Sequence, residues 1–240
     1  MRFVLIHGAF SGGWVWDPLA AELQARGHTV EAPDLPGGGQ DPTAVADVTL
    51  DAYAARVCEV VSSSREPVVL AGHSMGGMAI TQAAPRCADR IASMVYVAAF
   101  LPQEGQSLLA LTQLPEGASD EVQANLVVEG DPPVATMPAE ASRAAIYAHC
   151  SDELQAWAIA SRTPQPVFPF TEPLRLDGFD FAGIPRAYVY CSQDRAIPPP
   201  LQRRMIAAVG CDPVFELDTD HVPQLSRTQE LAEVLDGLAA

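Results

Sequence analysis

Short apolar runs rich in Val, Ile and Tyr alternate along the chain with longer stretches whose apolar residues recur at helical spacing. This alternation predicts repeated βα units: an α/β fold with a mostly parallel sheet and helices on both faces. Arg2 to Ile6 is the first expected strand, and Pro18 to Arg26 the first helix, closed by Gly27. A strand over His28–Ala32 leads into the loop Pro33-Asp34-Leu35-Pro36-Gly37-Gly38-Gly39. A helix over Leu50–Ser62, a strand over Pro67–Ala71, a helix over Met75–Ala84 and a strand over Ala92–Ala99 continue the series. The alternation then stops. Residues 101–181 are rich in Pro, Glu and Ala, too long for a loop, and predict a small helical cap with pieces at Ala139–Ala148 and Asp152–Ala160. It resumes with a strand over Arg186–Cys191, a helix over Pro199–Ala208, a strand over Pro213–Leu217 and a helix over Thr228–Leu238. The expected core is therefore 1–100 together with 182–240, interrupted by a cap over 101–181.

Composition narrows the classes. The 240 residues, 48% of them hydrophobic, suit one α/β domain with a modest insertion. No apolar run is long enough to span a bilayer, and the apolar part of the N-terminus is too short for a secretory signal, so a cytoplasmic protein is expected. A formal net charge of −16 repels nucleic acid and anionic membranes, which leaves small molecules as the expected partners. Every basic residue is Arg; without Lys, Schiff-base chemistry and a Ser–Lys dyad are excluded. The five Cys are scattered with no C-x-x-C pair, which predicts reduced thiols rather than a disulfide framework or a zinc site. No metal or other cofactor is expected.

Candidate chemistry sits at the strand ends. Gly72-His73-Ser74-Met75-Gly76 is G-x-S-x-G between an expected strand and an expected helix, the context in which a sharp turn throws a Ser side chain outward. A hydroxyl needs a neighbouring imidazole to take its proton. Of five His, His221 follows the last expected strand and so shares the carboxyl edge of the sheet with Ser74. Asp194 ends the penultimate strand at the same edge and is the acid expected to orient that imidazole. Asp218 and Asp220 lie too close in sequence to fold back onto the ring and read as loop or helix-entry residues. An oxyanion needs two backbone donors: Met75 supplies one, and Ala9, in the loop after the first strand, is the choice for the other. His7 reads as a buried imidazole bridging backbone groups of two loops.

Four motifs in this order resemble one branch of the α/β-hydrolase superfamily, that of plant methyl-ester esterases, hydroxynitrile lyases and bacterial esterases. They are His7-Gly8-Ala9 with Gly12-Gly13-Trp14, Gly72-His73-Ser74-Met75-Gly76-Gly77, Ser192-Gln193-Asp194, and Asp220-His221-Val222-Pro223-Gln224-Leu225-Ser226. The resemblance spans nearly all of the chain outside the cap. It implies a cofactor-free Ser-His-Asp hydrolase under a cap, and often a homodimer. The lyases of this branch carry Thr after the first-strand His and Lys after the catalytic His; Gly8 and Val222 stand here, which favours ester hydrolysis. Cap aromatics Tyr147, Trp157, Phe168 and Phe170, together with Phe10 and Val222, are the expected pocket lining, facing a neutral, largely apolar carboxylic ester. Thioester, lactone or carbon–carbon cleavage by the same triad is the alternative within enzymes. A ligand-binding receptor on the same fold is the alternative outside them.

Overall fold

In the computed structural model, which describes residues 1–239, the central strands are buried along nearly their whole length, and alternate residues pack on opposite faces of the sheet. In β1 (Arg2–Ile6), Val4 and Ile6 belong to one apolar cluster, while Phe3 and Leu5 belong to another on the opposite face. The same period-two division runs through β3 (Val68–His73), β4 (Ile91–Val97) and β8 (Arg186–Cys191), as expected of strands buried on both sides. The edges are β2 (Thr29–Glu31) and β9 (Val214–Leu217), short and partly exposed. All five pairings are parallel, in the order β2-β1-β3-β4-β8-β9.

One face is covered by α2 (Leu50–Val61), α3 (Gly76–Cys87) and α9 (Pro199–Val209). The other is covered by α1 (Asp17–Ala25) and α11 (Thr228–Leu238), through Leu19, Leu23, Leu231 and Leu235. A short α10 (Pro223–Ser226) precedes the last helix. The strand order turns outward at β1, with β2 on one side and β3 on the other, so the loops leaving β1 and β3 flank a crevice at the carboxyl edge.

Two local departures from the sequence expectation have simple causes. The helix expected to stop at Ala84, before Pro85, continues to Cys87, because a proline in the last turn forfeits little more than one hydrogen bond. Between β4 and β8 the chain forms α4 (Leu108–Thr112), α5 (Glu121–Asn125), α6 (Ala139–Ala145), α7 (Asp152–Ala160) and α8 (Phe168–Thr171). It also forms a small antiparallel sheet, β5 (Val127–Glu129), β6 (Val134–Thr136) and β7 (Gln165–Pro166). Strands of two or three residues are too short for an alternating pattern to register, which is why the sequence predicts a purely helical insertion.

Candidate active site

Ser74 lies between β3 and α3 with φ of +55°, a left-handed conformation that side-chain-bearing residues rarely adopt. Such a residue costs about 1–3 kcal/mol and persists only where its surroundings hold it. Close packing does so here. A Cβ on Gly72 would meet the Gly76 carbonyl at 2.7 Å, and one on Gly76 would meet the Ile6 carbonyl at 2.6 Å. The two glycines of the motif are therefore required by the approach of backbone to backbone. The Ser74 carbonyl accepts from Phe100 N at 3.0 Å, which fixes the turn against the chain leaving β4.

Asp194, beyond β8, is buried and fully engaged. Its Oδ1 accepts the amides of Ala196 (2.8 Å) and Ile197 (2.9 Å). Its Oδ2 accepts from Gln202 Nε2 at 3.1 Å and pairs with His221 Nδ1 at 2.8 Å. Burial lowers the basicity of His221, but the charge and hydrogen bond of Asp194 outweigh it, helped by Asp220 and Asp120, so its pKa lies above the ordinary value. His221 and Ser74 line the same cavity. No hydrogen bond joins them among the described residues; such bonds are often long until substrate tightens them.

The other histidines near the site are structural. Leu35 N donates to His7 Nε2 at 2.9 Å, so His7 is the Nδ1–H tautomer and donates to the Gly8 carbonyl at 2.8 Å. Burial holds its pKa down, and it bridges two loops as its sequence position suggests. His73 was not singled out by sequence, yet its Nε2 donates to the His221 carbonyl at 2.7 Å and anchors that loop. Burial, reinforced by nearby His221, keeps His73 neutral.

Ala9 and Met75 both line the cavity, and neither backbone N–H is spent on an intramolecular hydrogen bond among the described residues. A Cβ on Gly8 would come within 2.7 Å of Ser74 Cβ, so the residue ahead of Ala9 must be small for the loop to lie against the serine. Phe10, also at positive φ (+62°), lines the cavity together with Tyr147, Phe170 and Val222. Trp157 and Phe168 do not. They are 37% and 36% exposed, and Trp157 packs edge-on against Trp14 at 5.0 Å, because α7 turns this face outward. The expectation that those two line the pocket is corrected accordingly.

Asp220 is also more than a loop residue. It is buried, its Oδ1 accepts from Ser226 Oγ at 2.9 Å and Val222 N at 3.3 Å, and its Oδ2 accepts from His149 N at 2.8 Å. It thereby ties the insertion to the His221 loop. The insertion contributes a further acid that sequence reasoning missed altogether: Asp120 lines the cavity and is 6% exposed. Burial pushes its carboxyl up to about 6 against the lowering effect of two backbone hydrogen bonds.

A central parallel sheet with a strained serine, a buried acid–imidazole pair and two free amides at one edge defines an α/β hydrolase. The model for the alpha/beta hydrolase family matches residues 3–234, and the chain belongs to that family. Among known proteins it is 31% identical to methylesterase 7 of Arabidopsis thaliana, over 99% of this chain and 96% of that protein. It is also 31% identical to the alpha-hydroxynitrile lyase of the same plant, with the same coverage. A pyrethroid hydrolase from Sphingobium faniae superposes with a TM-score of 0.89 at 25% identity, covering 100% of this chain and 97% of the other. The chain is a carboxylesterase-type hydrolase.

Proposed function

We propose that this protein cleaves a carboxylic ester through an acyl-enzyme, with Ser74 as nucleophile, His221 as general base and Asp194 as its orienting acid. One observation carries the reading: the 2.8 Å His221–Asp194 bond lies beside a cavity that the strained Ser74 also lines. In this mechanism His221 takes the Ser74 proton as Oγ attacks the carbonyl carbon. The amides of Ala9 and Met75 receive the oxyanion, aided by the N-terminal end of α3. His221, protonated, then gives its proton to the departing alcohol, and water repeats the cycle on the acyl group. Asp194 keeps Nδ1 protonated so that Nε2 remains the base.

The lyase alternative is disfavoured by the cavity's charge. Departing cyanide is an anion and needs a cation beside it. Among the described residues no Arg lines the cavity; Arg162 sits over the Phe10 ring, 4.9 Å from its centroid, and donates to Ser142 Oγ. Among the described residues the only carboxylic acid in the lining is Asp120, which opposes an anion.

The test is Ser74→Ala together with active-site labelling. A fluorophosphonate should form one adduct, on the peptide containing Ser74, and hydrolysis of p-nitrophenyl butyrate should fall by several orders of magnitude in a variant that stays folded. Turnover near that of the unmodified protein would end the proposal.

A further inference from the structure

The acid in the cavity wall changes what the site selects. We propose that Asp120 is a specificity-determining residue that receives a protonated amine carried by the ester substrate. This rests on the esterase reading above and revises the expectation of a neutral substrate.

Asp120 caps α5, but it uses only one oxygen to do so: Oδ1 accepts from Val122 N at 2.8 Å and Gln123 N at 2.9 Å. Its Oδ2 has no partner among the described residues, although the residue is buried and lines the cavity. At the other α-helices with a side-chain cap the same capping is done by a hydroxyl, at Thr49, Ser107 and Ser151, and the one other carboxylate cap, Asp180 on a single 3-10 turn, is on the surface. A second carboxylate oxygen is therefore surplus to the cap. Among the described residues no Arg pairs with it, and His221 acts on it only through space, without a hydrogen bond. Arg195 pairs with Glu121 at 3.8 Å, and Arg204 with Glu116 at 3.9 Å. The lining it shares includes the apolar Leu108, Val122, Leu126, Ile146 and Phe170, alongside the uncharged polar Thr112 and Gln123. An isolated carboxylate in such a setting is costly to ionise, and a ligand cation restores what burial removed. The net charge of −16 adds a long-range field that concentrates cations at the mouth.

Two isosteric ester pairs test this. One carries the charge in the alcohol half: 2-(dimethylammonio)ethyl butyrate against 3-methylbutyl butyrate. The other carries it in the acyl half: ethyl 4-(dimethylammonio)butyrate against ethyl 5-methylhexanoate. The readout is the ratio of kcat/KM, cation over neutral, in the unmodified protein and in Asp120→Asn, which keeps the Oδ1 cap. Its expected value is about tenfold or more in at least one pair, from an unpartnered carboxylate meeting an ammonium, falling to near one in the variant. His221, Asp194 and the Arg195–Glu121 pair act on both esters of a pair, so their titration cancels in the ratio. That ratio should fade as pH drops below about 6, where Asp120 takes up a proton. Calorimetric binding of the same pairs to Ser74→Ala protein gives the comparison without turnover. Neutral esters hydrolysed with no cation preference, or a preference that survives Asp120→Asn, would overturn the inference and leave the esterase reading standing. No hydrolysis of any ester would sink the esterase reading, while calorimetry would still decide the role of Asp120.

A separate observation carries a second inference. Cys58 on α2 and Cys87 at the end of α3 hold their Sγ atoms 2.7 Å apart. Cys58 is partly exposed, whereas Cys87 is buried. We infer that this pair closes to a disulfide by exchange with a small-molecule disulfide such as oxidised glutathione. The Cys58 thiolate attacks one glutathione sulfur and expels the other as thiolate. Cys87 then yields its proton to that thiolate, attacks the Cys58 sulfur and releases the second glutathione. Two protein thiols become one disulfide as one oxidised glutathione becomes two reduced ones. Once Cys58 gives up its proton, the Cys87 thiol can turn its S–H toward it across 2.7 Å, which with Arg86 nearby favours the Cys58 thiolate despite partial burial. After incubation with oxidised glutathione, intact mass should fall by two hydrogens, and peptide mapping should join the 58 and 87 peptides. Three of the five thiols should remain titratable, and Cys58→Ser should abolish the crosslink. Five free thiols after that treatment, or a stable glutathione adduct left on Cys58, would refute it.

Discussion

Replacing Asp194 by Asn alters one atom of the site and should disable it. Oδ1 of Asp194 is pinned by two backbone amides, Ala196 N at 2.8 Å and Ile197 N at 2.9 Å, so the substituted side chain must keep its carbonyl there. Its NH2 then occupies the Oδ2 position, facing two donors, Gln202 Nε2 at 3.1 Å and His221 Nδ1 at 2.8 Å. Donor against donor is untenable in a buried site, and the imidazole responds by moving its proton to Nε2 so that Nδ1 accepts. In that tautomer His221 can no longer take the Ser74 proton. Serine hydrolases altered in this way lose about 10⁴ in kcat, roughly 5.4 kcal/mol of transition-state stabilisation. A second signature separates this from a folding defect. In the unmodified protein His221 is raised above its ordinary value chiefly because Asp194 outweighs burial, so kcat/KM should rise with pH through a midpoint above 6.5. Removing the Asp194 charge leaves burial in control, and the residual activity should have its midpoint shifted to lower pH. Stopped assays with p-nitrophenyl butyrate from acid to mildly alkaline pH read both effects. A variant within tenfold of the unmodified protein, or one whose midpoint moves up, would refute the role given to Asp194.

Asp220→Asn should act on stability more than on chemistry. An amide on the side now accepting from His149 N would leave that donor unmatched, costing about 1–3 kcal/mol, visible as a lowered Tm. Its loss of kcat/KM should be smaller than that of Asp194→Asn; an unchanged Tm would refute the tie it is held to make. Gly8→Thr should cost on the order of 10² in turnover, because its Cβ would meet Ser74 Cβ at 2.7 Å and shift the nucleophile. Turnover at the level of the unmodified protein would show that the loop gives way freely. Aromatic cyanohydrins at mildly acidic pH should not be cleaved; enzyme-dependent aldehyde release abolished by Ser74→Ala would overturn the preference for ester hydrolysis.

The core was legible because burial imposes a period. Strands covered on both faces must be apolar throughout, and Arg2–Ile6 and Arg186–Cys191 match their expected bounds for that reason. Chain order did the rest. Once the sheet is parallel, residues that end successive strands must share one edge, so Ser74, Asp194 and His221 could be brought together without knowing a single distance. The insertion obeys no such rule. Val127 and Val128 are 44% and 54% exposed, and a strand that buries neither face leaves no pattern to read. The same freedom hid the outward turn of Trp157, since an aromatic on a short helix without a marked apolar face looks alike whether it faces a cavity or another tryptophan.

Asp120 was hidden for a different reason. In sequence it is one of 30 acidic residues in a chain of net charge −16, and an acid ahead of a short helix reads as a cap. A cap accounts for Oδ1 and is silent about Oδ2, because a motif assigns a residue one job while a carboxylate has two oxygens. Only the packing of the insertion over the sheet edge places the residue in the cavity wall, where the second oxygen has no protein partner among the described residues. The lack of a cationic side chain in the core motifs pointed to a neutral substrate; the carboxylate proposed to bear on selectivity comes from the segment with the least regular pattern. The division follows from physics. Catalytic groups must be held to a fraction of an ångström and so sit on the rigid strand ends that sequence reveals, whereas the groups that choose a substrate need only reach it, and loops and short helices can carry them.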